Sequence, residues 1–309
     1  MDWTTKLFRS LLLALAGNRA AEALALKYGL RLGADKFVAG ETRAEALRTV
    51  KQLNANGLLA TIDHLGEGIR HLSEAEAFRD EYLALLEDIS QEEAKANVSL
   101  KPTQMGLALD PEAGYRNIRE IVDKARALGN FVRLDMEDSR YTDATLQVAR
   151  RLHAEGMGNV GVVIQAYLYR SEYDIRRLSS EKGNVRLVKG AYKEPKDKAY
   201  PKMSEVDIQF KRLIKRRLLS GLYTGIATHD EPIIEWTKRF VEVHQVPLHT
   251  FEFQMLYGIR MKLQEELAAE GYTVRCYVPY GRLWFPYFVR RLAERPANVA
   301  FLLKSLRKK

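Results

Sequence analysis

From residue 58 onward, short apolar runs rich in β-branched residues alternate with longer stretches whose apolar positions recur every three or four residues. The runs predict strands at Leu58–Asp63, Asn97–Lys101, Phe131–Asp135, Val160–Ala166, Val185–Lys189, Thr224–Ala227, Leu248–Phe253 and Val274–Val278. The longer stretches predict amphipathic helices, among them Ala75–Glu93, Pro111–Leu128, Asp143–Glu155 and Met203–Ser220. Within the second of these, Ile118, Ile121, Val122, Ala125 and Leu128 share one helical face. Gly129-Asn130, Gly156, Gly183-Asn184 and Gly271 stand where helices should stop, because a left-handed residue closes a last turn cheaply.

Strands separated by helices of crossover length demand a parallel sheet. Eight such repeats favour closure into a barrel over an open doubly wound sheet. No glycine-rich dinucleotide turn follows a strand, which argues against a Rossmann domain. The expectation is an α/β chain with an all-helical segment, residues 1–57, packed on a (β/α)8 barrel, residues 58–309.

Composition changes this picture little. Hydrophobic residues make up 46% and charged residues 29% of the 309, as in a globular protein with a full core. The single cysteine, Cys276, excludes an internal disulfide framework and sits in a strand-like run, so it reads as a buried thiol in a reducing compartment. No His–Cys cluster has zinc-ligand spacing, and no metal is expected. The longest apolar run, Leu11–Ala16, is far too short to span a bilayer. The net charge of +9 is spread along the chain, with clusters at Lys211–Arg217 and Lys304–Lys309 and no nucleic-acid motif. These clusters read first as solvated surface, second as contact with an anionic membrane face.

The polar residues at the ends of the strands carry more. In such barrels the working residues lie at the C-terminal ends, where the βα loops begin. Here those positions hold Lys101, then Asp135-Met136-Glu137-Asp138, Gln165, Arg186 and Lys189, Thr228-His229-Asp230, Glu252 and Gln254, and Tyr277. Each alone reads equally well as a salt-bridged strand end, whereas together on one rim they point to a ligand. Beyond the last strand, Phe285–Glu294 reads as a helix on which Tyr287, Arg290, Arg291 and Glu294 share a face. Paired guanidinium groups suit a small carboxylate, although an exposed Arg290–Glu294 ion pair explains the same segment alone.

Seven segments taken together resemble the proline dehydrogenase family: Val98–Lys101, Arg133–Glu137, Val185–Tyr192, Ala227–His229, Phe251–Gly258, Tyr277–Gly281 and Tyr287–Glu294. The run RLVKGAY and the closing Y-x-x-R-R-x-x-E helix are the most specific of them. The resemblance implies a distorted (β/α)8 TIM-type barrel with a final helix over its mouth, which oxidises L-proline to Δ1-pyrroline-5-carboxylate by hydride transfer to non-covalent FAD. It assigns the proline carboxylate to Arg290, Arg291 and Lys101, and the pocket around the ring to Asp135, Tyr192, Leu256, Tyr277 and Tyr287. Arg186 and Gln165 should lie by the flavin, with Met136, Lys189, Gly190, Ala191, Thr228 and His229 contacting the cofactor. Asp135 and Arg186 are the expected catalytic residues.

Electrons are expected to pass to a membrane quinone, and a separate pyrroline-5-carboxylate dehydrogenase to act next. The resemblance further suggests a monofunctional, cytoplasmic enzyme, peripheral on the inner face of the membrane if its basic surface engages lipid. Lys193 departs from members that carry an aromatic residue after GAY, which should leave the flavin edge more open. The rival reading of the residues alone is a Schiff-base aldolase or lyase using Lys101 or Lys189.

Overall fold

The computed structural model describes residues 34–66 and 68–294, and the side chains of 34–66 and 68–289. Eight strands close into one parallel barrel in which each strand pairs with its neighbours in chain order. They are β1 (Leu59–His64), β2 (Ala96–Leu100), β3 (Val132–Leu134), β4 (Val160–Gln165), β5 (Asn184–Val188), β6 (Thr224–Ala227), β7 (Phe251–Leu256) and β8 (Val274–Tyr280). Helix α1 (Arg43–Ala55) precedes them. Between and after the strands come α2 (Leu72–Gln91), α3 (Pro111–Ala127), α4 (Thr142–Ala154), α5 (Ser171–Ser180), α6 (Met203–Leu219), α7 (Glu231–Val243), α8 (Met261–Ala269) and α9 (Phe285–Glu294).

Pleating divides each strand between two environments. On the outer face Ile62, Val98, Leu100, Val132, Leu134, Val185, Leu187, Phe253, Cys276 and Val278 are wholly buried against the helices. This shell between barrel and helices is the main hydrophobic core. Cys276 lies inside it, and burial pushes its thiol far above the usual range. Helix α1 adds Ala46, Leu47, Val50 and Leu53 to the same core against β1 and β8. Its start is fixed by a reciprocal cap between Thr42 and Glu45. Asp110 caps α3 by accepting from the Glu112 and Ala113 amides, with Pro111 pre-set for the first turn.

A second apolar cluster closes the C-terminal end of the barrel. Trp284, Phe285, Tyr287, Phe288 and Val289 of the α9 region pack with Leu65 beyond β1, Ile259 beyond β7, and Phe37 and Val38 from the segment before α1. Leu256, at the end of β7, lies against it. The last helix therefore lies at the mouth.

Two expectations need correction. The seventh strand starts three residues later than the apolar pattern implies: Leu248–Thr250 is a 3-10 turn, and β7 runs on to Leu256. Pro247 explains the shift, since its carbonyl accepts from both the amide and the hydroxyl of Thr250 and curls the chain before pairing begins. The basic run Lys211–Arg217 is also not uniformly solvated. Arg217 is fully buried and donates to Gly183 O, Tyr223 O, Thr224 Oγ1 and Ser179 Oγ, tying together the loops that enter β5 and β6.

Candidate active site

The inner face of the strands is polar. Alternation puts Thr61 and Asp63 of β1, Ser99 of β2 (with Lys101 just past it), Arg133 (with Asp135) of β3, and Gln165 of β4 on this face. Arg186 of β5, Glu252, Gln254 and Leu256 of β7, and Arg275 and Tyr277 of β8 complete it. Hydrogen bonds crossing the barrel establish that these side chains meet in the lumen. Arg186 Nη1 donates to Asp135 Oδ1 at 2.7 Å and to Ser99 Oγ at 3.1 Å, joining β5 to β3 and β2. Tyr277 donates to Asp135 Oδ2 at 2.8 Å from β8. The Arg186 guanidinium also lies 5.5 Å from the Tyr277 ring.

Burial sets the character of this group. Arg186 and Asp135 have side chains only 5% and 14% exposed, so their ion pair is shielded from solvent. Burial, reinforced by the Asp135 and Asp63 carboxylates, pushes the Tyr277 hydroxyl well above the usual phenol range. It therefore stays a hydrogen-bond donor at neutral pH. Lys101 Nζ forms a second shielded pair with Asp63, at 2.9 and 3.1 Å from the two carboxylate oxygens.

Deeper in the barrel, Glu252 binds Arg275 at 2.8 Å and the Tyr223 hydroxyl at 2.7 Å. Burial opposes ionisation of Glu252, but the charge and hydrogen bond of Arg275, with Tyr223 and Gln254, outweigh it and hold the carboxyl below its usual range. Arg133 has no carboxylate partner among the described residues and donates instead to Val162 O, Asn184 O and Asn184 Oδ1. Burial, then repulsion from Arg186, draws it down to about 9, still protonated at neutral pH.

The other anticipated residues form the rim. Gln165 donates to Glu137 O at 2.9 Å, and Glu137 accepts from the amide and hydroxyl of Thr103. Met136 is buried beside them. Lys189 bridges Asp207 at 2.5 Å and Asp230 at 2.6 Å, linking the ends of β5 and β6 to α6. Gly190 has φ +116°, and a Cβ there would meet the Tyr167 ring at 2.3 Å, so only glycine lets the β5–α6 loop approach so closely. Ala191 and Tyr192 follow on that loop and are exposed. Thr228 Oγ1 accepts from the Asp230 amide, and His229 Nε2 accepts from the Leu256 amide at 2.8 Å, which leaves the ring proton on Nδ1.

Tyr287 is buried on α9 in the cluster at the mouth. The backbones of Arg290 and Arg291 continue that helix, while their side chains lie outside the described residues. Asp63, Ser99, Arg133 and Arg275 were not anticipated as parts of the site. The signal was the two-residue spacing: Arg133 precedes Asp135, and Arg275 precedes Tyr277, on the same face.

Comparison with known proteins bears on this geometry. The family model described as proline dehydrogenase matches residues 46–304. The chain is 48% identical over 303 residues to proline dehydrogenase 1 of Bacillus subtilis (strain 168), covering 98% of this chain and all of that protein. It is 43% identical over 307 residues to the proline dehydrogenase of Deinococcus radiodurans, covering 98% of this chain and 99% of that one. Among solved structures, proline utilization A (PutA) from Bdellovibrio bacteriovorus, inactivated by N-propargylglycine, superposes with a TM-score of 0.83 at 26% identity. That match covers 94% of this chain and 36% of the longer PutA chain.

Proposed function

The chain belongs to the proline dehydrogenase family, and from that premise we propose that it oxidises L-proline to Δ1-pyrroline-5-carboxylate with FAD held non-covalently in the barrel mouth. The carrying observation is the buried Arg186–Asp135–Tyr277 constellation with the Lys101–Asp63 pair beside it. The donor set fits a flavin: Arg186 Nη2 has no hydrogen-bond partner among the described residues, which leaves a shielded cationic donor for a ligand. Gln165, Met136, Lys189, Gly190, Ala191, Thr228 and His229 would hold the cofactor from the neighbouring rim. FAD, when bound, supplies the hydride acceptor.

The protein's own groups prepare and stabilise the transfer. Hydride loss from the ring carbon next to nitrogen leaves an iminium cation, and the Asp135 carboxylate offsets that positive charge. Arg186 stabilises the negative charge gained on the other side. Tyr277, Tyr287, Leu256 and Tyr192 wall the ring and exclude water. Arg290 and Arg291 grip the substrate carboxylate, with Lys101 completing the contact. Electrons then leave to a membrane quinone, which the basic surface helps the enzyme to reach in the cytoplasm. The product passes to a separate pyrroline-5-carboxylate dehydrogenase. The rival Schiff-base chemistry loses ground because Lys101 and Lys189 are both engaged by carboxylates.

Proline added anaerobically to the yellow purified protein should bleach its flavin absorption, and a soluble quinone should restore it. Acid precipitation should leave the flavin in the supernatant. A colourless protein, or one that makes NADH from proline unaided, refutes this reading.

A further inference from the structure

Gln254 sits behind Arg186, away from the groups just assigned to substrate. It is 4% exposed, and its amide connects two charged centres. Its Oε1 accepts from Arg186 Nε, while its Nε2 donates to Glu252 Oε1. Glu252 is in turn clamped by Arg275 Nε at 2.8 Å and the Tyr223 hydroxyl at 2.7 Å, and Arg275 Nη1 is anchored on Ala60 O at 2.8 Å.

The amide can lie only one way. A guanidinium offers donors alone and an ionised carboxylate acceptors alone, so a flipped amide would set like against like at both ends. Glu252 stays ionised because Arg275 holds it so. The neighbouring strand makes room for this arrangement. A Cβ on Gly225 of β6 would stand 2.6 Å from Gln254 Nε2 and 2.9 Å from its Cδ. Three strands thus cooperate to fix one amide: β6 by giving up a side chain, β7 through Glu252, and β8 through Arg275.

We propose that Gln254, oriented by the Glu252–Arg275 pair, is a positioning residue that locks the Arg186 guanidinium by its Nε and directs its Nη groups toward the reaction centre. The proposal rests on the reading of Arg186 as the group at the flavin's redox edge. An arginine side chain has many rotamers, and a contact with Asp135 through Nη1 alone leaves the guanidinium plane free to pivot. A second bond at Nε removes that freedom, so Arg186 meets developing negative charge with no reorganisation. Glu252 and Arg275 lie too deep in the barrel to play this part directly.

The test uses the flavin-loaded enzyme and four variants: Gln254→Met, Arg186→Met, the double variant and Gly225→Ala. Methionine keeps the volume of Gln254 and removes both hydrogen bonds. Gln254→Met should lower kcat for proline about tenfold while KM stays within about twofold, the pattern of a contact made only in the transition state. The flavin midpoint potential should move negative by about 30 mV, the equivalent of tenfold in a two-electron equilibrium. In the Arg186→Met background the same change should add nothing to either readout. If Arg186→Met shifts the potential but Gln254→Met does not, or if the two losses multiply in the double variant, the positioning role is overturned while the reading of Arg186 survives. If Arg186→Met itself leaves the potential unmoved, that reading falls and the proposal with it. Gly225→Ala, which displaces the amide without deleting it, should reproduce the kcat and potential changes. It serves as the deciding variant should Gln254→Met fail to fold, and wild-type values in it would overturn the proposal.

Discussion

Removal of the Asp135 carboxylate would strand a charge in the barrel. In Asp135→Ala, Arg186 keeps only the neutral acceptors Ser99 Oγ and Gln254 Oε1, and Tyr277 loses the acceptor of its hydroxyl. Among the described residues the lumen holds Lys101, Arg133, Arg186 and Arg275 against Asp63, Asp135 and Glu252, an excess of one positive charge that the substitution doubles. Breaking a buried pair by deleting one partner costs about 3–5 kcal/mol, and side chains 5% and 14% exposed lie in that regime. For a domain of this size the loss corresponds to roughly 5–10 °C in Tm. Thermal unfolding with and without formate provides the assay, because a small carboxylate can enter the vacated space and restore part of the stability. The pair should also couple in a double-mutant cycle: Asp135→Ala with Arg186→Met should be more stable than Asp135→Ala alone, since the stranded cation is gone. A Tm within about 1 °C of wild type for Asp135→Ala, or additive losses in the cycle, would show that the Arg186 charge does not depend on Asp135.

Three further outcomes are expected. Arg217→Met should lose about 2–4 kcal/mol of stability, because two buried and two half-buried acceptors lose a charged donor; denaturant unfolding checks this, and kcat should not change, since the site is at the opposite end of the barrel. His64 is held below its usual pKa chiefly by burial, with Arg43 and Lys101 adding to the effect and the Glu81 and Asp63 carboxylates only partly opposing it, so on acidification the unfolded chain takes up a proton before the folded one does. Stability should therefore fall as pH drops below about 6.5, by at most about 1.4 kcal/mol per unit from this group, and His64→Gln should remove that component from a pH series of unfolding curves. Arg290→Ala and Arg291→Ala should each cost about 2–5 kcal/mol in kcat/KM for proline with flavin content kept, and prolinamide should be a poor substrate; normal kinetics on both would eliminate the carboxylate clamp.

Much of the fold was legible because the outer face of most strands is apolar, Thr224 of β6 being an exception, and each helix carries its own periodicity. Val98 and Leu100, or Val185 and Leu187, announce a strand packed on helices whatever lies on its other side. The seventh strand was misplaced because Leu248 is apolar but belongs to a turn that Pro247 imposes. The rim residues were legible as a set because polar groups recur where strands end. Asp63 escaped notice because one acid at the end of β1 looks like any solvent-facing carboxylate until Lys101 from β2 is seen against it. Arg217 misled for a related reason: it ends a run of basic residues, although helical spacing puts it on the buried face with Phe210, Leu213 and Ile214, where the loops before β5 and β6 supply its acceptors.

The two faces of the barrel wall divide the labour of the molecule. The outer face supplies the hydrophobic burial, with side chains such as Val132, Leu187 and Phe253 wholly removed from water. That shell is complete without any contribution from the lumen, which is why the lumen can hold, among the described residues, three ion pairs and an arginine with no carboxylate partner where barrels commonly pack branched apolar side chains. Each buried pair contributes little net stability, since its attraction is set against the desolvation of both ions. Its value lies in geometry. Lys101–Asp63, Arg186–Asp135 and Glu252–Arg275 each join different strands, so rotation of any one head group must break a bond to another. A ligand entering the mouth therefore meets charges that are already oriented, and the uncompensated positive charge favours a ligand that brings a carboxylate.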